Sequence, residues 1–343
     1  MPKPLKITLL WSLLAIAATA AIALIVAWRS LTVSPFALSE TAYVYVRPGD
    51  SEASILQQVT EVAHPKSLTG WRIARRLRDF TLHTGRYAID PGDSWLHTFR
   101  TLSRGFQTPV QLTIPSVRNL NRLAGVLSHK LMLDSAEVAS NFADSTFAAS
   151  CGYSLATLPA LFIPNTYELY WDTSFDAFIE RMQRENEAFW TRDHRDALTH
   201  EIQMTREEVI TLASIVDEET ANNGEKPRVA GLYMNRLHQG IPLQADPTVK
   251  FATGDATLRR ILNKHLTTDN PYNTYLHKGL PPGPIRIPSV AGIDAVLHYE
   301  RHNYLYMCAK EDFSGTHNFA STYAEHQKNA RRYQRALNER GIK

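Results

Sequence analysis

The sequence is poor in cysteine, in glycine-rich nucleotide signatures and in net charge. It has two cysteines, Cys151 and Cys308, in 343 residues. They suit pairing in an oxidising compartment but do not establish it. No Walker loop, Gly-x-Gly-x-x-Gly stretch or Cys-x-x-Cys pair is present, so the common nucleotide and thiolate-metal signatures are missing. The net charge of +3 is too small to argue for a nucleic-acid partner. The hydrophobic fraction of 44% is that of a globular protein and speaks against widespread disorder. The length allows two or three domains.

One hydrophobic run stands out. Lys3 and Lys6 precede an uncharged stretch from Ile7 to Trp28, closed by Arg29. It reaches the ~20 residues that span a bilayer. A cleaved signal peptide normally has an apolar region of only about 7–15 residues. The expectation is therefore an uncleaved anchor over residues 1–29, with the N-terminus in the cytoplasm by the positive-inside rule. Everything after Ser30 is then outside the cytoplasm.

Residues 30–40 read as a linker. Next comes an alternating strand, TAYVYV, a Pro48-Gly49-Asp50-Ser51 turn and a helix that Ser51 can cap. A basic helix, SLTGWRIARRLRDF, follows. The same turn chemistry recurs at Pro91-Gly92-Asp93-Ser94, after the strand GRYAI and before a helix ended by Gly105. Local turn chemistry explains this repeat without a ligand. VQLTI reads as a strand, with Ser116 a candidate cap for the helix behind it. Phe162–Tyr167 reads as a proline-punctuated turn. Tyr167 and Trp171 suit a sugar groove and core packing equally.

The most informative segment is TREEVITLASIVDEET, Thr205 to Thr220. Thr205 and Glu208 form a capping-box pattern. Val209, Leu212, Ala213 and Val216 make one apolar stripe at helical spacing. The helix ends on Asp217, Glu218 and Glu219, although acids at a C-terminus oppose the helix dipole, so something must compensate. Glu218 points away from the stripe, toward water. Glu219 and Asp217 lie on opposite edges of the apolar face. A carboxyl at such an edge is partly desolvated, which favours its protonated form and suits a general acid. A solvated acidic helix end accounts for the same pattern, and helix geometry alone leaves the two readings open.

Beyond it, Pro227 opens a helix that Gly240 closes, with Val229, Leu232, Tyr233 and Leu237 on one face and Asn235 and Arg236 elsewhere. Gln244 to Thr248, Pro271 to Tyr275 and Gly279 to Pro284 read as rigid loops of directed polar groups. Such loops more often build a site than a linker. A helix is expected over Ser289–Tyr299, a strand over Tyr304–Cys308, a turn over Gly315–Phe319 and a basic helix at the end.

In order, ASIVDEET, NRL at 235–237, LQADPT at 243–248, YNTY at 272–275, GLPPGPI at 279–285 and THNF at 316–319 resemble the MltG (YceG-like) family of endolytic murein transglycosylases. Each piece alone is weak, but the ordered set is specific. The resemblance implies an α+β chain: a transmembrane helix, a small LysM-like α/β subdomain over 41–106 and a larger mixed α+β catalytic domain over 107–343. It implies cleavage of the MurNAc-GlcNAc β-1,4 bond within glycan strands, leaving 1,6-anhydro ends, and termination of nascent chains. It makes Glu219 the catalytic acid. Asp217 stands where the family has another Glu, Glu218 where it has Lys, and Asn165 where FPDTY has its acid, so Asn165 is not expected to be catalytic. The candidate substrate-binding set is Asp217, Asn235, Gln244, Asp246, Thr248, Tyr272, Asn273, Thr274 and His317, with loop bracing an alternative for the loop members. No metal and no cofactor is expected. The implied partners are peptidoglycan glycan strands, the cytoplasmic membrane and peptidoglycan synthases. The alternatives are a non-catalytic wall-binding scaffold and a hydrolysing muramidase.

Overall fold

A computed structural model of the chain describes residues 3–255, 258 and 261–341. The first element is α1, Lys3–Thr32. Its segment Ile7–Thr32 has a mean hydropathy of 2.5 and none of its most apolar window is buried. It is long and apolar enough to cross a membrane. The chain is mixed α/β and divides into two compact units, residues 1–111 with 168–173, and residues 112–167 with 174–343.

The first unit contains β1 (Ala42–Val46), α2 (Glu52–Ala63), α3 (Thr69–Leu77), β2 (Gly85–Ile89) and α4 (Trp95–Arg104). β1 and β2 are antiparallel, with Val44 opposite Tyr87. The two PGDS turns work alike. Asp50 accepts from Arg47 N and Asp93 from Asp90 N, while Ser51 and Ser94 cap α2 and α4. Alternate strand residues and the inner faces of the helices bury a core centred on Trp71, Trp95 and Phe99, whose rings meet edge to face. Leu31 and Phe36, in the segment expected as a linker, belong to this core.

β3 (Val110–Ile114) pairs with β4 (Asn165–Leu169), and along these two strands the chain passes between the units. The expected turn at Phe162–Tyr167 is thus partly strand. Tyr167 is buried and its hydroxyl donates to Ile163 O; Trp171 is buried against Tyr45 and under Arg47. Both aromatics pack in cores instead of lining a groove.

The second unit continues with α5 (Leu120–Lys130), α6 (Ser135–Phe142), α7 (Ser145–Ser150), α8 (Phe175–Thr191), α9 (Arg195–Glu201), α10 (Arg206–Glu219) and α11 (Lys226–His238). Then come α12 (Asp246–Thr253), α13 (Asn263–Leu266), α14 (Val290–Leu297), the antiparallel β5 (Tyr306–Ala309) and β6 (His317–Ala320), and α15 (Tyr323–Glu339). Asn119, not Ser116, caps α5; the Ser116 hydroxyl is spent on Ile287 O. The Gln244–Thr248 stretch is only half loop, because Asp246-Pro247 starts α12 with Pro in the first turn, where it costs no hydrogen bond. THNF is strand from His317 onward, paired to β5, instead of a turn.

The core of this unit surrounds α10. The capping box at Thr205 and Glu208 is formed. Burial, however, is not confined to a stripe: every residue from Val209 to Val216 is buried, Thr211 and Ser214 included. Ser214 accepts a hydrogen bond from Ile285 N and donates to Thr211 O. A helix enclosed on all sides is rigid and presents its last turn as a fixed edge.

Candidate active site

The three acids at the end of α10 point in three directions and meet three environments. Asp217 is buried. It is paired with Lys226 Nζ at 2.7 Å and accepts from the backbone N and the hydroxyl of Ser289, the cap of α14. Gly292 packs against it, and a Cβ there would push the Asp217 carboxyl from its place. Glu218 does not face water as expected. It receives Arg118 through Nε and Nη2 at 3.1 and 2.8 Å, and Arg286 through Nη1 at 2.8 Å. Arg286 is itself anchored on Ser116. These cations offset the unfavourable dipole that an acidic C-terminus faces.

Glu219 is treated differently. Among the described residues it makes no salt bridge, and the Tyr233 hydroxyl donates to its Oε1 across 2.7 Å. Burial pushes its pKa up to about 7, against the Tyr233 hydrogen bond, which lowers it; the Asp246 charge adds to the rise and His317 opposes it. A carboxyl poised near neutrality holds a proton to give and can take one back. Tyr233 comes from the buried face of α11, and burial raises its own pKa well above the ordinary value. It is a firm donor.

Glu219 and Tyr233 line a cavity of about 370 Å³ that also meets Arg236, Gln244, Asp246, Tyr275, Tyr306, His317, Tyr323 and His326. Gln244 adopts a left-handed backbone (φ 52°) and its Oε1 accepts from Arg236 Nη1. Asp246 is exposed and accepts from the Tyr275 hydroxyl at 2.7 Å. His317 is held from behind by the buried Glu225, which accepts from its backbone N at 2.7 Å and lies 2.8 Å from Nδ1. That contact sets the ring's orientation. Tyr306 stacks on His326, and Tyr323 lies exposed beside them. Polar groups and aromatic faces in one open cavity suit a carbohydrate, whose C–H surfaces pack on rings and whose hydroxyls need directed partners.

A model of the YceG-like family matches residues 44–332. The chain belongs to the YceG-like family. An endolytic murein transglycosylase of Bacillus subtilis (strain 168) is 33% identical over 169 residues, 49% of this chain and 46% of that protein. One of Streptococcus pneumoniae serotype 2 (strain D39 / NCTC 7466) is 23% identical over 320 residues, 83% of this chain and 58% of that protein. The chain thus spans about half the length of the curated relatives it matches. A crystal structure of a YceG-like protein from Listeria monocytogenes superposes with a TM-score of 0.57 at 26% identity, covering 85% of this chain and 99% of that one.

Within this YceG-like fold, the residues singled out from the sequence separate into two groups. Glu219, Gln244, Asp246 and His317 come together on the cavity. The others do not line it. Asp217 is sealed in its ion pair with Lys226. The Asn235 amide donates to His302 O and Tyr304 O. Thr248 and Thr274 bond each other at 2.8 Å, fully buried. Asn273 is fully buried and donates to Leu266 O and Thr268 O. Tyr272 packs on Phe251. Asn235, Thr248, Asn273 and Thr274 brace the loops because buried polar atoms need partners, and the bracing uses up donors that a substrate would need. Sequence reasoning missed Tyr233, Arg236, Tyr275, Tyr306, Tyr323, His326 and Glu225. Tyr233 was legible only as a core residue of α11, although a tyrosine on a buried face needs a hydroxyl partner. Cys151 and Cys308 are both free thiols.

Proposed function

We propose that the chain is an endolytic murein transglycosylase with Glu219 as its catalytic acid and base. Glu219 gives its proton to the glycosidic oxygen as the MurNAc C1–O4 bond breaks. The resulting carboxylate accepts the proton of the MurNAc C6 hydroxyl as O6 bonds to C1. The sugar closes to the 1,6-anhydro form, Glu219 regains its proton, and no water is consumed. One carboxyl performs both transfers, unlike the two carboxylates of ordinary glycosidases. The observation that carries this reading is that Glu219 alone of the three acids lacks a cation and is held near pKa 7 at a cavity wall. Tyr233 positions its Oε1, and Gln244, Asp246, Tyr275 and His317 position the sugars. The names of the relatives support murein as substrate. The chain acts from the outer face of the cytoplasmic membrane, with α1 as anchor, residues 41–106 as a LysM-like glycan-holding subdomain and 107–343 as the catalytic domain. In that setting it terminates nascent glycan strands beside the peptidoglycan synthases.

One observation favours a second reading. Asp246 stands in the same cavity as Glu219 and raises its pKa, so a two-carboxylate muramidase is chemically available. Mass spectrometry of murein digested with the purified protein decides. Anhydro ends support the transglycosylase, reducing ends the muramidase, and an undigested polymer overturns both.

A further inference from the structure

A second cavity, of about 280 Å³, is lined in part by sequence neighbours of residues that line the first. Glu219 and Asp246 line the first cavity; their neighbours Glu218 and Pro247 line the second, with Arg118, Asn119, Lys250 and Phe251. Adjacent Cα atoms are about 3.8 Å apart, so the two cavities are neighbours at these residues. The charge in the second is lopsided. Glu218 is already answered twice, by Arg118 and Arg286. That leaves one cation in surplus, and Lys250 adds another, since among the described residues its ammonium enters no salt bridge. Asn119 spends its Oδ1 on capping α5, which leaves its amide NH₂ as a donor beside the positive end of that helix. The Phe251 ring is 39% exposed and gives an apolar side.

We propose that this cavity is a subsite for the acidic stem peptide that murein carries on its muramic lactyl group, with Arg118, Lys250 and Asn119 receiving a peptide carboxylate and Phe251 packing on the chain beside it. The assignment rests on the murein reading of the neighbouring cavity. An extended stem of three to five residues spans about 10–18 Å, the scale on which a muramic residue at Glu219 brings its peptide to this neighbouring cavity. A subsite of this kind selects peptide-bearing strands over denuded ones and sets the register of cleavage.

The test is fluorescence anisotropy with the full-length protein in detergent and N-terminally labelled L-Ala-γ-D-Glu-L-Lys. The control probe has every carboxylate converted to carboxamide. The expected result is saturable binding of the acidic peptide, at least about tenfold weaker binding of the amide, as loss of a charged hydrogen bond predicts, and loss of that difference in Lys250→Gln and Lys250→Glu. Circular dichroism checks that both variants fold. Equal binding of the two peptides, no saturable binding, or an undiminished difference in both folded variants overturns the subsite. Digestion of intact murein is read separately. If the wild-type protein cleaves nothing while the peptide arm holds, the murein reading fails and the acidic-peptide site stands.

Discussion

The Tyr233 hydroxyl donates to Glu219 Oε1 across 2.7 Å, joining the buried face of α11 to the last residue of α10. This bond favours the ionised carboxylate and so works against the burial that pushes Glu219 up to about 7. Tyr233→Phe removes the donor and little volume. The Glu219 pKa is then expected to rise further. The alkaline limb of kcat/KM, where a general acid loses its proton, moves to higher pH. The rate at the optimum falls about tenfold, as loss of one charged hydrogen bond predicts. A pH–rate profile of murein cleavage checks this; an unmoved limb would show that Tyr233 does not tune the acid.

Glu219→Gln tests the acid itself. The amide keeps the shape but has no proton to transfer, and general acid–base groups contribute about 10²–10⁴-fold. The yield of anhydro ends should fall by at least that factor. Stability carries a second signature. The folded pKa, about 7, lies above the ordinary 4.5, so the folded state binds the extra proton. Stability contributed by the protonated form is whole below about pH 4.5 and is lost as pH rises to about 7. The loss reaches up to about 3 kcal/mol at about 1.36 kcal/mol per unit. Glu219→Gln escapes it. Thermal unfolding should therefore show the variant more stable than wild type at pH 8 and no better at pH 4.

Much of α10 was legible because its cues are local. The Thr205–Glu208 capping box and the apolar periodicity depend on residues within one or two turns. The long apolar run at the N-terminus was legible for the same reason. What stayed hidden depends on chain distant in sequence. Glu218 looked solvated because periodicity describes only its own helix, whereas Arg118 and Arg286 arrive from 100 and 68 residues away. Asn235 on its helix and Thr248, Asn273 and Thr274 in their expected loops read as substrate ligands because a polar residue looks the same in sequence whether it faces a ligand or the chain's own backbone. Asp246 read as loop because a proline signals a helix's first turn as readily as a break.

The Glu218 clamp makes a prediction opposite to that of a solvated acid. Glu218→Gln leaves two guanidinium groups without their carboxylate, and Arg286 is only 20% exposed. Charged hydrogen bonds are worth about 1.5–3 kcal/mol, discounted here because Arg118 is 49% exposed. Urea unfolding should show a loss of about 1–2 kcal/mol with an unchanged m-value. A variant as stable as wild type would mean that the two arginines find water or other partners at no cost.

Asp217 is predicted to matter through stability. It sits 2.7 Å from Lys226, and both side chains are nearly sealed, at 4% and 7% exposed. Asp217→Asn retains an oxygen that can accept from Ser289, but it leaves the Lys226 ammonium buried without a counter-charge. Removing one partner of such a pair costs about 3–5 kcal/mol, a large share of the 5–15 kcal/mol that holds a folded protein together. The double variant Asp217→Asn/Lys226→Met removes the stranded charge and should recover most of that loss, because the apolar replacement of a buried pair is often neutral. Urea midpoints of wild type, both single variants and the double variant complete the cycle. A small loss in Asp217→Asn, or a double variant no better than the single one, would show that the pair does not hold α10 to the α11 entry, and a folded Asp217→Asn with normal stability but no cleavage would return Asp217 to the chemistry.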